Sequence, residues 1–136
     1  PGRGEQEDCL VVKEVEVMNK LKFGLIGAGG IAQSYAQAFE QSQTAELVAV
    51  VDVRVEAAEA LAERLNCQSF ASYQTMAESI DLDAVIVCTP PVTHRDIAIY
   101  FLERRINVLC EKPLSVDVKS AIEMVETAAK HGVILT

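Results

Sequence analysis

Leu21-Lys22-Phe23-Gly24-Leu25-Ile26-Gly27-Ala28-Gly29-Gly30-Ile31-Ala32 decides how this chain is read. A strand-like apolar run enters a glycine turn, after which Ile31, Ala32, Tyr35, Ala36 and Phe39 recur at helical spacing. The turn fits G-x-G-x-x-G/A, and each small residue has a physical task. Gly27 permits the tight turn, Gly29 lets a pyrophosphate approach the backbone, and Ala32 lets helix and strand pack closely. The amides of Gly29, Gly30 and Ile31 are then expected to face the phosphates at the positive end of the helix dipole. Glycines also serve plain turns, so the motif draws its weight from the strand before it and the helix after it. Dinucleotide binding is the expectation.

The same alternation continues toward the C-terminus. Residues 46–52 read as a second strand, followed by a helix through Leu65 with Ala57, Ala58, Leu61 and Leu65 at helical spacing. Gln68–Phe70 reads as a short third strand and Tyr73–Ser79 as a brief helix. The unbroken apolar run 84–88 suits a fourth strand buried on both faces. A helix is expected over 92–105 and a fifth strand over Asn107–Cys110. A last helix should be capped by Ser115, with Val118, Ile122, Val125 and Ala129 as its apolar stripe and His131-Gly132 as its end. Residues 133–135 start a sixth strand. Repeated strand–helix–strand units joined by short linkers require parallel strands with right-handed crossovers. The predicted fold class is therefore α/β, a Rossmann-type doubly wound parallel sheet over residues 20–136. Residues 1–19 are expected to be an extension outside that fold, with 11–17 as a candidate edge strand.

Composition narrows the function. The 136 residues are 50% hydrophobic and 24% charged, a globular balance. With 20 acidic against 12 basic residues the net charge is −8, which disfavours nucleic acid or an anionic membrane as partner. The longest apolar runs fall far short of the ~18 residues of a membrane span. Cys9, Cys67, Cys88 and Cys110 form no CxxC pair, so neither a disulfide framework nor a zinc site is expected. No cluster suggests a metal, and no Ser/His/Asp or Cys/His arrangement suggests a nucleophile. A reducing, cytoplasmic setting follows.

Asp52 closes the second strand 23 residues after Gly29, near the ~20 expected for a carboxylate that binds the adenosine ribose. A 2′-phosphate beside it meets a like charge, which costs about 1–4 kcal/mol at ~4 Å. NAD is thus the expected cofactor, with NADP as the alternative. Arg54 keeps that alternative open, because it can neutralise Asp52, stack on adenine or grip a 2′-phosphate. It reads equally as a solvated residue opening the second helix.

Gly27 to Ala32, Asp52, the run Cys88-Thr89-Pro90-Pro91-Val92-Thr93-His94 and Glu111-Lys112-Pro113 occur in the order and spacing of one family. The chain resembles the N-terminal nucleotide-binding domain of the glucose–fructose oxidoreductase, inositol dehydrogenase and rhizopine-catabolism (Gfo/Idh/MocA) oxidoreductases. The resemblance covers about residues 20–136, and Glu-Lys-Pro is its most specific part. Many members carry Asn where this chain has Pro91, so an Asn contact to the cofactor is missing here. Tyr35 lies near a position often held by His, and no chemistry is assigned to it.

The resemblance implies hydride transfer between nicotinamide and a carbon–oxygen bond of a sugar, polyol or related hydroxy compound. It implies that Thr89, Pro90 and His94 line the nicotinamide half of the cleft and that Glu111 and Lys112 reach its reactive end. It also implies a cis Lys112-Pro113 bond. His94 reads equally as a packed residue in a first helical turn. Lys112 is the expected catalytic residue, hydrogen-bonded to the substrate hydroxyl and helping to move its proton; ribose binding or pairing with Glu111 is the alternative. Members carry a second α/β domain that builds the substrate pocket and usually the oligomer interface. The chain is accordingly expected to be truncated before that domain, and to bind dinucleotide while turning over little substrate alone. A non-catalytic dinucleotide-sensing or interaction module is the alternative function.

Overall fold

Strand β1 (Leu21–Ile26) starts exposed at Leu21 and Lys22 and ends buried at Gly24, Leu25 and Ile26. That gradient carries the chain from the sheet's open end to its covered one. The computed structural model describes residues 19–136, so the expected extension and the candidate strand at 11–17 lie outside the described residues. After β1 come α1 (Gly30–Gln41), β2 (Ala45–Val51), α2 (Val55–Leu65), β3 (Gln68–Phe70) and α3 (Tyr73–Ser79). Then follow β4 (Ala84–Val87), a 3-10 turn (Pro91–Thr93), α4 (His94–Glu103), β5 (Asn107–Cys110) and α5 (Val118–His131).

The five strands form one parallel sheet in the order β3-β2-β1-β4-β5. The chain winds outward from β1 to β3, then crosses back to lay β4 on the other side of β1. Strand order therefore reverses between β1 and β4, where doubly wound sheets open a crevice at their carboxyl ends. Side-chain alternation divides the core in two. Leu25, Val50 and Ile86 point to the face covered by α1 and α2, through Ala32, Ala36, Ala58 and Leu61. Ile26, Val51, Val85 and Val87 point to the other face and meet Met76, Ile97, Phe101, Leu102 and Met124. All four residues of β4 are buried, as a strand covered on both faces requires.

The helix expected over 92–105 divides at His94 into a 3-10 turn and α4, and Arg105 leaves it with φ 59°. The last helix departs further from its reading. Asp117, not Ser115, caps α5, accepting a hydrogen bond from the Ser120 amide at 2.7 Å. Val118, Ile122 and Val125 are 75%, 50% and 54% exposed, and Ala129 is exposed, while Met124 and Ala128 face the core. The helix carries two apolar strips, and α4 accepts the one with the small alanine and the adaptable methionine. Gly132 ends α5 at φ 65°, as expected of a left-handed cap. The expected sixth strand is an isolated parallel bridge, Val108 to Leu135, on the outer edge of β5.

Candidate functional site

The glycine turn is pinned from both sides. Gly27 donates its amide to Val51 O at 2.7 Å, and Cys88 donates to Ile26 O at 2.7 Å. At φ 101°, Gly27 holds a conformation that other residues rarely adopt, and a Cβ there would meet the Cys88 backbone at 2.8 Å. A Cβ on Gly29 or Gly30 would enter open space instead. Gly29 is the N-cap of α1 and makes no side-chain cap, so the first amides of that helix have no side-chain partner. An open cradle at a helix N-terminus fits a pyrophosphate.

Asp52 stands at the tip of β2. Its Oδ2 accepts from the Ala28 amide and its Oδ1 from the Arg54 amide, both at 2.8 Å. Arg54 Nε lies 3.5 Å from Oδ1, with most of the arginine side chain in solvent. Burial is the largest single influence on this carboxyl and pulls its pKa up. The two amides and the guanidinium together outweigh it and hold Asp52 below its ordinary range. The carboxylate is therefore charged at neutral pH, with lone pairs left to accept ribose hydroxyls.

A cavity of about 790 Å³ opens where β1, β2 and β4 end. Gly27, Gly29, Asp52, Arg54, Thr89 and Pro90 line it, so six of the sequence-derived residues share one groove. Ser72, Tyr73 and Gln74 line it as well. The sequence reading gave them no role, although residues following each strand tip converge at such a crevice, and these follow β3. A smaller concavity of about 330 Å³ between α4 and α5 is lined by Arg95 and Glu123, which already pair with each other.

The remaining expected residues stand outside the groove lining. Gly30 and Ile31 begin α1 just beyond the turn, with Ile31 exposed. The structure does not bring His94 to the cleft, as the resemblance implied: it is fully buried. Its Nδ1 lies 2.9 Å from Pro113 O and its Nε2 2.7 Å from Thr89 O, so both ring nitrogens are occupied by backbone. His94 thus ties the loop after β4 to the loop after β5. Within the first loop Thr93 Oγ1 donates to Pro90 O at 2.7 Å, so Thr89 must donate in the 2.6 Å contact between the two threonine hydroxyls.

Glu111 extends from the tip of β5, its amide donating to Val87 O at 3.0 Å. Its Oε1 accepts from the Tyr35 hydroxyl at 2.6 Å and its Oε2 from the Lys112 amide at 3.2 Å. The Tyr35 bond is the largest influence on the Glu111 carboxyl, and with the Lys112 amide and charge it keeps that group below its ordinary pKa. Lys112 is exposed, and its side chain makes no ion pair among the described residues, so Glu111 meets it through the backbone. The Lys112-Pro113 bond is cis. Burial, followed by the Glu111 charge, pushes the Cys88 thiol up to about 12 and the Cys110 thiol to about 11. Neither is a thiolate near neutrality.

Residues 21–136 match the family described as the oxidoreductase family with NAD-binding Rossmann fold, GFO_IDH_MocA. The chain belongs to the Gfo/Idh/MocA oxidoreductases. It carries that family's NAD-binding Rossmann domain. The inositol 2-dehydrogenase of Rhizobium meliloti is 37% identical over 114 residues, covering 81% of this chain and 34% of the relative. The 2,7-anhydro-N-acetylneuraminate hydratase of Mediterraneibacter gnavus is 32% identical over 117 residues, covering 86% and 31%. Among solved structures, the WlbA dehydrogenase of Chromobacterium violaceum, in complex with NADH and UDP-GlcNAcA, superposes with TM-score 0.84 at 34% identity. That match covers 86% of this chain and 34% of the other. The Actinomadura kijaniata 3-ketoreductase KijD10, in complex with NADP, gives TM-score 0.81 at 30% identity, covering 86% and 36%. The chain thus spans about a third of the length of the Gfo/Idh/MocA relatives it matches.

Proposed function

We propose that this chain is the cofactor-holding part of an NAD(P)-dependent oxidoreductase acting on a carbon–oxygen bond of a sugar, polyol or related hydroxy compound. The observation that carries this reading is the charged Asp52 carboxylate in the same groove as an open glycine cradle. Gly27 makes the tight turn, the backbone amides of Gly29, Gly30 and Ile31 hold the pyrophosphate, Asp52 holds the adenosine ribose, and Arg54 flanks the adenine. Thr89 and Pro90 form the wall of the nicotinamide half. The bound nicotinamide supplies hydride exchange with the substrate carbon. Lys112 is the catalytic side chain, holding the substrate hydroxyl and helping to move its proton, and Glu111 steadies the loop that carries it.

NAD is favoured over NADP, because the Asp52 charge opposes a 2′-phosphate by about 1–4 kcal/mol. The domain is assigned to residues 20–136. The substrate pocket and a homo-oligomer interface are assigned to a further domain, in keeping with the fraction of each relative that this chain covers. A cytoplasmic setting is supported by three free cysteines among the described residues, Cys67, Cys88 and Cys110. No helix among the described residues is long and apolar enough to cross a membrane.

Titration with NADH and NADPH, followed by nicotinamide fluorescence in a chain with no Trp, tests the reading. Saturable binding with NADH tighter by about tenfold or more is expected. A folded chain that binds neither overturns it.

A further inference from the structure

Tyr35 and Glu111 meet across 76 residues of sequence, at 2.6 Å, over the carboxyl edge of the sheet. Tyr35 sits in the second turn of α1, the helix whose N-terminus forms the phosphate cradle. Glu111 is fixed at its backbone by Val87 and at its other carboxylate oxygen by the Lys112 amide. We propose that Tyr35 is a positioning residue for Lys112, its hydroxyl orienting the Glu111 carboxylate that in turn holds the Lys112 backbone. This deepens the proposed function and rests on it for the role of Lys112.

The chemistry favours a positioning bond over simple ring packing. The ring of Tyr35 packs half-buried against the α1–α2 side of the core, and a phenylalanine would fill that space equally well. The hydroxyl adds a donor aimed at a carboxylate, and such charge-assisted bonds are roughly twice as strong as neutral ones. Glu111 is faced by Tyr35 from α1, Cys88 beyond β4, Cys110 from β5, His94 from α4, and its own neighbour Lys112. Burial, then the Glu111 bond and charge, push the Tyr35 hydroxyl far up, so it remains a proton donor across the accessible pH range. The phosphate helix and the loop bearing Lys112 are thereby linked by one bond that bypasses the strands.

NMR of the chain, labelled at glutamate carboxyl carbons, tyrosine Cζ and backbone amides, tests this. In the unsubstituted chain the Glu111 carboxyl, the Lys112 amide and the Tyr35 Cζ should titrate with one shared midpoint, below the ordinary glutamate value. Tyr35→Phe should move the Glu111 midpoint upward and speed exchange of the Lys112 amide by about tenfold, while core amides such as Ala49 keep their protection. A folded Tyr35→Phe chain with the Glu111 midpoint and Lys112 exchange unchanged overturns the proposal. Should that variant not fold, separate midpoints for Tyr35 and Glu111 in the unsubstituted chain overturn it equally. NADH titration of the same samples separates the two readings: a shared midpoint without NADH binding defeats the dinucleotide assignment and leaves the Tyr35 bond standing.

Discussion

The tips of β1 and β2 and the tips of β4 and β5 are built differently. At the tips of β1 and β2, the proposed adenosine end, the decisive groups lie between Gly27 and Asp52 and are held by backbone amides: Gly27 to Val51, and Ala28 and Arg54 to Asp52. Beyond the tips of β4 and β5, outside the groove lining, side chains reach across the fold, Tyr35 to Glu111 over 76 residues and His94 to Pro113 over 19. A backbone-made site tolerates little change in main-chain geometry but many side-chain changes nearby. A site made of long-range side-chain bonds fails one bond at a time. Substitutions at each end should therefore have different characters.

The harshest break is at the adenosine end. Gly27→Ala combines an unfavourable φ with a 2.8 Å backbone clash, and should cost about 3 kcal/mol of stability and abolish NADH binding, read by denaturant unfolding and fluorescence titration. His94→Ala tests the other end. It removes a fully buried ring whose nitrogens lie against the Pro113 and Thr89 carbonyls and should cost about 2–4 kcal/mol, while ADP, which reaches only the proposed adenosine end, binds the folded variant within about twofold of the original. Asp52→Asn keeps one of the two amide contacts through its single oxygen, sets its NH2 against the other amide and removes the charge. Its preference for NADH over NADPH should fall by about tenfold or more in parallel titrations.

Acid sharpens the comparison further. Asp52 and Glu111 are both held below their ordinary pKa values in the folded chain. Their stabilising contribution is complete above the unfolded values near ~4 and is lost as pH falls through the lower folded ones. Unfolding curves should thus steepen below about pH 4, less so in Asp52→Asn. The mildest change is Lys112→Met, which should leave NADH affinity within about twofold, because Lys112 is exposed and does not line the groove.

The same contrast explains what could be read in the sequence. Strand–helix alternation, the glycine turn and Asp52 are local patterns, and the parallel sheet with its switch point between β1 and β4 follows from them. Val118, Ile122 and Val125 have the right period for the buried stripe of α5, and only packing against α4 selects Met124 and Ala128 instead. His94 was legible as a residue of the first helical turn, but its burial between two loops depends on Pro113, whose position no local pattern carries. Tyr35 carries no sign of its role in the sequence, because the carboxylate it meets lies four strands further along the chain.

The central claim is that the turn at Gly27 and the carboxylate of Asp52 hold one dinucleotide. Amide chemical-shift mapping of the labelled chain on addition of NADH addresses it directly. The account predicts the largest changes at Gly29, Gly30 and Ile31, followed by Arg54 and Thr89. Saturable NADH binding that instead shifts the amides around Arg95 and Glu123 and leaves the glycine turn unmoved contradicts it.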